Sequence, residues 1–60
     1  MIVWFKCEEE GLMCSLETDA RPMIGDIVCV EGNDYSVNKV VWCLEELPAQ
    51  SGLLVNIKKL

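Results

Sequence analysis

The stretch from Pro22 to Leu44 constrains the fold most, because two runs of apolar and β-branched residues flank a short turn sequence. That turn is Glu31-Gly32-Asn33-Asp34, in which glycine and asparagine tolerate the positive φ that tight connections between strands require. The pattern predicts a β-hairpin with strands at Ile27 to Val30 and Tyr35 to Leu44. We expect the other segments to be strands that pack onto this hairpin.

The second strand of the hairpin changes the phase of its apolar pattern partway along. Tyr35 and Val37 share one parity, whereas the apolar residues that alternate from Val40 onward share the other. A β-bulge produces such a change, because one extra residue shifts every later side chain. The sequence therefore predicts a bulge near Asn38-Lys39 that bends the strand.

Three further strands are predicted, at Met1 to Cys7, Leu12 to Glu17, and Leu53 to the C-terminus. Glu8-Glu9-Glu10-Gly11 is a polar turn that makes the first two strands a hairpin, and Glu45 to Gly52 is a loop with room for one helical turn. Five short strands without helical periodicity predict an all-β fold. We expect a single domain over residues 1–60, either a small five-stranded SH3-like barrel or a strongly bent antiparallel sheet. A truncated OB-like barrel is a less favoured form.

The charge of the chain excludes several classes of partner. Ten acidic residues stand against five basic ones, and the net charge is −5. Binding to a phosphate backbone depends on Lys and Arg, so we expect no direct nucleic-acid binding and no binding to a membrane surface. No run approaches the roughly 20 apolar residues of a membrane span, and no secretory signal pattern is present. We therefore expect a cytoplasmic protein.

The cysteines and carboxylates do not form a recognisable reactive site. Cys7, Cys14, Cys29 and Cys43 include no Cys-x-x-Cys pair, and the chain has no histidine. A zinc site favours close pairs, so we expect no metal and reduced, buried or half-buried thiols, with disulfides as the alternative. Glu45-Glu46 could form a carboxylate pair with Asp34 or Asp26 for acid and base catalysis. The chain offers no histidine and no setting that would activate a nucleophile for such a pair. We expect no catalytic residues, no cofactor and no enzymatic activity.

The chain has more apolar residues than so small a core can bury. Hydrophobic residues make up 52% of the sequence, against roughly 45–50% in an ordinary globular domain. A chain of this length buries only about 60% of the surface that its unfolded form exposes. The surplus favours a homo-oligomer or a protein partner, since contiguous apolar surface usually marks an interaction site.

A family resemblance lies in the same central stretch. The segment PMIGDIVCVEG from Pro22, continued by Tyr35-Ser36-Val37 and Val40-Val41-Trp42, resembles the Gly-Asp-x-Val-x-Val, Gly, Tyr-x-Val, Val-x-Trp rhythm of small SH3-like barrels. It is also similar to short proteins encoded by phages and prophages. The likeness covers about a third of the chain and lacks the basic residues of ribosomal KOW-type barrels. It implies an SH3-like fold and an origin in a mobile element.

We expect a non-enzymatic interaction module, a phage- or prophage-type accessory protein that binds and inhibits or redirects a host protein. The candidate contacts are the acidic residues Glu8, Glu9, Glu10, Glu45 and Glu46, which suit a basic groove on the partner. The run Glu8 to Glu10 has other interpretations, of which a solvated hairpin tip is favoured over a metal site or a phosphate mimic. Either Trp4 or Tyr35 is expected at an interface, whereas Trp42 and Phe5 are expected mostly in the core.

Two alternative functions remain open at this point. One is an oligomeric sponge that traps a nucleotide or metabolite between subunits, for which Arg21, Lys6 and Lys39 would have to converge on an anionic ligand. The other is a structural component of a larger particle.

Overall fold

The computed structural model describes residues 1–44 and 51–60, which form five β-strands and no helix. The strands are β1 (Ile2–Cys7), β2 (Gly11–Glu17), β3 (Ile27–Val30), β4 (Asn33–Cys43) and β5 (Gly52–Lys59). They form one sheet in the order β2-β1-β5-β4-β3, curled into a half-barrel. The predicted all-β fold with five strands is confirmed. No helix within the described residues is long and apolar enough to span a membrane.

β5 is the central strand of the sheet. It pairs in parallel with β1 and antiparallel with β4, so both of its edges are hydrogen-bonded. Its inward side chains Leu53, Val55 and Ile57 are at most 1% exposed. The expectation that the β3–β4 hairpin is the centre of the fold is therefore wrong. The sheet is also mixed, since the β1–β5 pair is parallel.

The strand register assigns the side chains to two faces, because residues opposite each other on neighbouring strands share a face. We call the face that carries the core the inner face and the opposite one the outer face. The core consists of Val3, Cys7, Tyr35, Val37, Leu53, Val55 and Ile57. On the outer face, the register aligns Trp4, Leu54 and Val41 in one row and Lys6, Asn56 and Lys39 in another.

The predicted bulge in β4 is confirmed. Val37 is opposite Ile57 and Lys39 is opposite Asn56, which leaves Asn38 as the extra residue. The bulge lets Val37 and Val40 both point to the inner face although their positions differ in parity. It also bends β4, which allows one long strand to follow the curve of the half-barrel.

The turn between β3 and β4 is shorter than expected, because β4 begins at Asn33 rather than at Tyr35. Val30 pairs with Asn33, so the loop consists of Glu31 and Gly32 alone. Both have positive φ, 51° for Glu31 and 83° for Gly32. A two-residue loop of this kind matches the twist of the flanking strands. The expected four-residue turn from Glu31 to Asp34 would break the pairing of Asn33 with Val30 and of Asp34 with Cys29.

The four cysteines are free thiols with different exposure. Cys7 is buried and Cys43 is half-buried, as expected, but Cys14 and Cys29 are exposed. Cys14 lies on the edge strand β2 and Cys29 on the outer face of β3, so no neighbouring strand covers either thiol. Of the expected loop from Glu45 to Gly52, positions 45–50 lie outside the described residues, and Gly52 is the first residue of β5.

Replacing Gly52 with alanine should destabilise the fold by about 2–3 kcal/mol, the cost of forcing an extra atom into occupied space. A Cβ atom there would overlap the carbonyl oxygen of Ile2 and lie 2.6 Å from the Trp4 ring. Gly11→Ala is the control, because its φ of +78° is strained for alanine but its surroundings are open; it should lose only about 1 kcal/mol. The free energy of unfolding in urea measures both, and equal losses would contradict the close approach.

Replacing Glu31 with asparagine should raise the free energy of unfolding by about 0.5–1 kcal/mol, because asparagine adopts positive φ more easily than glutamate. Glu9→Asn removes the same charge at an exposed turn residue without positive φ, and it should leave stability nearly unchanged. Urea denaturation of the two variants separates the backbone effect from the charge effect. A gain of equal size in both would assign it to charge alone.

Candidate functional site

The second half of β4 has a free strand edge. β3 pairs only with the first part of β4, from Asn33 to Ser36. The next backbone bonds on that side connect Val37 to the preceding loop, in which Gly25 N–H donates to Val37 O at 2.9 Å and Val37 N–H donates to Asp26 O at 2.9 Å. From Lys39 to Cys43, no other strand of the described chain pairs with this edge.

An apolar groove adjoins this free edge on the inner face. It has a volume of about 490 Å³. Its walls are the loop residues Arg21, Pro22, Met23 and Ile24 and the strand residues Val40, Trp42 and Leu53. We call it the Trp42 groove.

A tight turn holds the loop wall of the Trp42 groove in place. Asp26 N–H donates to Met23 O at 3.0 Å, and the carboxylate of Asp26 accepts a bond from Met23 N–H at 2.8 Å. Gly25 has a φ of 96°, which favours glycine at this position of the turn. These bonds leave the side chains of Met23 and Ile24 exposed, 69% and 72% respectively.

Trp42 is 52% exposed, so the expectation that it belongs mostly to the core is wrong. Its register partner Leu53 is fully buried on the inner face. Trp42 points the same way but lies near the end of β4, beside the free edge, where no third strand of the described residues covers its ring. The guanidinium of Arg21 lies 5.3 Å from the ring centroid, a cation–π contact worth about 0.5–1 kcal/mol at an exposed site.

The exposed apolar surface is large for the size of the chain. Eight large hydrophobic side chains of the described residues are more than half exposed. The accessible surface is 4383 Å², whereas a folded monomer of 6.8 kDa has about 3,950 Å². The half-barrel has an open side that adds to this surface, because the sheet does not close on itself.

The basic residues considered as ligand contacts fall into two places. Lys6 and Lys39 line one outer-face cavity, together with Asn38 and Asn56. Arg21 lies at the Trp42 groove instead, so the expectation that all three converge is wrong. Arg21 lies there because the loop that follows it is hydrogen-bonded to Val37, on the edge of β4 that faces away from β5.

Tyr35 is a core residue rather than an interface residue, since it is 1% exposed. Its hydroxyl donates to the carboxylate of Glu10 at 3.4 Å. Burial, and after it the negative charge of Glu10, raises the pKa of the tyrosine above its ordinary value of 10.0. Trp4 is half-buried with its ring against Gly52, and its role at an interface stays a prediction.

The glutamate run forms the tip of the β1–β2 hairpin, as the favoured interpretation predicted. Glu10 N–H donates to Cys7 O at 3.1 Å, and Gly11 follows with a φ of 78°. All three glutamates are exposed, and within residues 1–44 and 51–60 no three His, Cys, Asp or Glu side chains form a group that could hold a metal ion. Their role as partner contacts stays a prediction, and Glu45 and Glu46 lie outside the described residues.

No protein-family model, curated protein sequence or solved structure matches the chain.

Replacing Glu10 with glutamine should lower the pKa of Tyr35 while leaving it above 10.0, because the charge is lost but burial, the larger cause, remains. Tyr35 is the only tyrosine of the chain, so the absorbance of its ionised ring reports the titration directly. Glu8→Gln, which removes a charge that does not act on Tyr35, is the control and should leave the titration unchanged.

In the unmodified protein, the raised pKa means that the folded state holds the Tyr35 proton more tightly than the unfolded state. This group should therefore leave stability unchanged below about pH 10 and reduce it as the pH rises further. A titration that does not respond to Glu10→Gln would contradict the contact between the two side chains.

Proposed function

We propose that the chain is a non-enzymatic interaction module that binds an extended segment of another protein along the free edge of β4. The observation that carries this proposal is the position of the Trp42 groove directly beside the edge of β4, from Lys39 to Cys43, with which no strand of the described residues pairs.

A free strand edge next to an apolar groove supports binding by strand addition. In this mode, the main chain of the ligand pairs with the edge of the sheet, and pockets accept alternate side chains. β4 offers the edge, and Trp42, Met23 and Ile24 offer apolar contact surface at the groove. Trp42 is suited to such a contact, because tryptophan is enriched among the residues that dominate binding energy.

The charge of the chain indicates the chemistry of the partner. A net charge of −5 attracts a basic surface and speeds its approach. A second copy of the chain carries the same negative charge, so it is repelled at long range. We therefore assign the groove to a partner segment with an apolar centre and basic flanks. The formation of homo-oligomers stays a prediction.

The resemblance to short phage- and prophage-encoded proteins supports a biological setting for this binding. We propose that the partner is a host protein, which the module inhibits or redirects. The exposed glutamates of the β1–β2 tip add to the acidic surface offered to such a partner. A structural role in a larger particle has no specific observation in its favour.

A synthetic peptide of alternating valine and threonine, flanked by lysines, tests the proposal. It should bind the protein and slow exchange of those amides from Lys39 to Cys43 that face the free edge, because the amides that face β5 are already paired. The same peptide with glutamate flanks should bind more weakly. Amide exchange followed by NMR, together with calorimetry for affinity, measures both effects.

Ile24→Asp and Ile27→Asp form a matched pair for this test. Ile24 is 72% exposed at the groove, and Ile27 is 57% exposed on the outer face of β3. Ile24→Asp should weaken peptide binding by about tenfold or more, whereas Ile27→Asp should leave it unchanged. Equal effects, or binding without protection of β4, would contradict strand addition.

Light scattering of the unmodified protein under reducing conditions separates a foreign partner from a second copy. A monomer supports the proposal. A dimer that Ile24→Asp converts to a monomer would assign the Trp42 groove to self-association and overturn the proposal.

A further inference from the structure

A second cavity, of about 630 Å³, lies on the outer face, on the opposite side of the sheet from the Trp42 groove. The register brings three of its side chains into one row, since Lys6 is opposite Asn56 and Asn56 is opposite Lys39. Neighbouring strands are about 4.8 Å apart, so the two lysine backbones are separated by roughly 10 Å. Their flexible side chains can reach the same small ligand from both sides.

The bulge in β4 adds a further donor to this row. Asn38 is the extra residue, and it lines the cavity together with Lys39. Two side-chain amides therefore lie between or beside two ammonium groups. Amide and ammonium N–H groups are donors to anionic oxygen atoms, and charge-assisted bonds of this type are the stronger ones.

The cavity concentrates positive charge on a strongly acidic protein. An adjoining cavity, which is also lined by the core residues Cys7 and Ile57, includes Lys58, so three of the five basic residues of the chain line the two cavities. The acidic residues that line the two cavities are Glu8 and Glu9. Neither Lys6 nor Lys39 has a carboxylate within 4.0 Å among the described residues. The local balance is thus positive, opposite to that of the whole chain.

We propose that this cavity is a binding site for a small phosphorylated molecule, whose phosphate group lies between Lys6 and Lys39 and accepts hydrogen bonds from Asn38 and Asn56. The volume is much larger than a phosphate ion needs and lies within the roughly 300–1,000 Å³ of small-molecule sites. The organic part of the ligand occupies the remainder, next to Glu8, whose carboxylate suits hydroxyl or amino groups as donors.

Inorganic phosphate, adenosine monophosphate and adenosine are the three probes of this proposal. The side-chain amide signals of Asn38 and Asn56 in NMR spectra should shift saturably with the first two and not with adenosine. Adenosine monophosphate should bind more tightly than phosphate, because the cavity also holds the organic part of the ligand. Acetate at equal concentration should have no saturable effect.

Lysine variants supply the matched controls. Lys6→Gln and Lys39→Gln should each weaken binding by about fivefold or more, because each removes a charged donor. Lys59→Gln makes the same change in net charge, but Lys59 is opposite Tyr35 and outside the cavity, and it should change binding less than twofold. The lysines are exposed, so these variants should keep the fold, which amide spectra verify.

Two results would overturn the proposal. One is the absence of saturable shifts at Asn38 and Asn56 with both phosphorylated probes. The other is a loss of binding in Lys59→Gln equal to that in Lys39→Gln, which would indicate a nonspecific response to net charge. Neither result bears on strand addition at the Trp42 groove, because that test uses the inner-face variants.

Discussion

The pairing of β5 with both β1 and β4 is the interaction on which the rest of the structure depends. It joins residues near the two ends of the chain, and it requires the backbone of Gly52 to lie against the carbonyl of Ile2 and the ring of Trp4. Only a residue without a side chain fits this contact. With that contact made, Val3 comes into register with Leu53, and the inner-face row through Val55 and Ile57 is fully buried. Each such aliphatic side chain contributes about 1.5–3 kcal/mol when buried, so one short strand supplies much of the core of a small protein.

The bulge at Asn38 determines the shape of both candidate sites. Before the bulge, β4 is covered by β3, and after it β4 has a free edge that borders the Trp42 groove. The bulge keeps Val40 pointing to the inner face, and it places two consecutive polar side chains, Asn38 and Lys39, at the outer cavity. An apolar groove on one face and a polar cavity on the other therefore have the same structural origin. Bulges commonly re-aim side chains in this way near functional sites.

Local patterns predicted the features that depend on neighbouring residues. The change of parity after Val37 located the bulge. The limits of β3 were predicted correctly because its β-branched residues end at a glycine turn. The parallel pairing of β5 was missed, because it depends on contacts between distant parts of the chain. The run Leu53-Leu54-Val55, apolar at consecutive positions, was an available signal for a strand with a parallel neighbour. Parity also predicted which way Trp42 points, but not that the sheet ends beside it. Arg21 was misplaced because its position depends on the bonds between Gly25, Asp26 and Val37.

The two candidate sites share Lys39. Its backbone belongs to the free edge of β4, and its side chain lines the outer cavity. Lys39 is already held in the sheet by its pairing with Asn56, so an occupant of one proposed site does not have to order the backbone for the other. The two proposed sites lie on opposite faces of the sheet, so their occupants would not compete for space. The bulge in β4 thus gives one strand of a 60-residue chain two separate candidate surfaces.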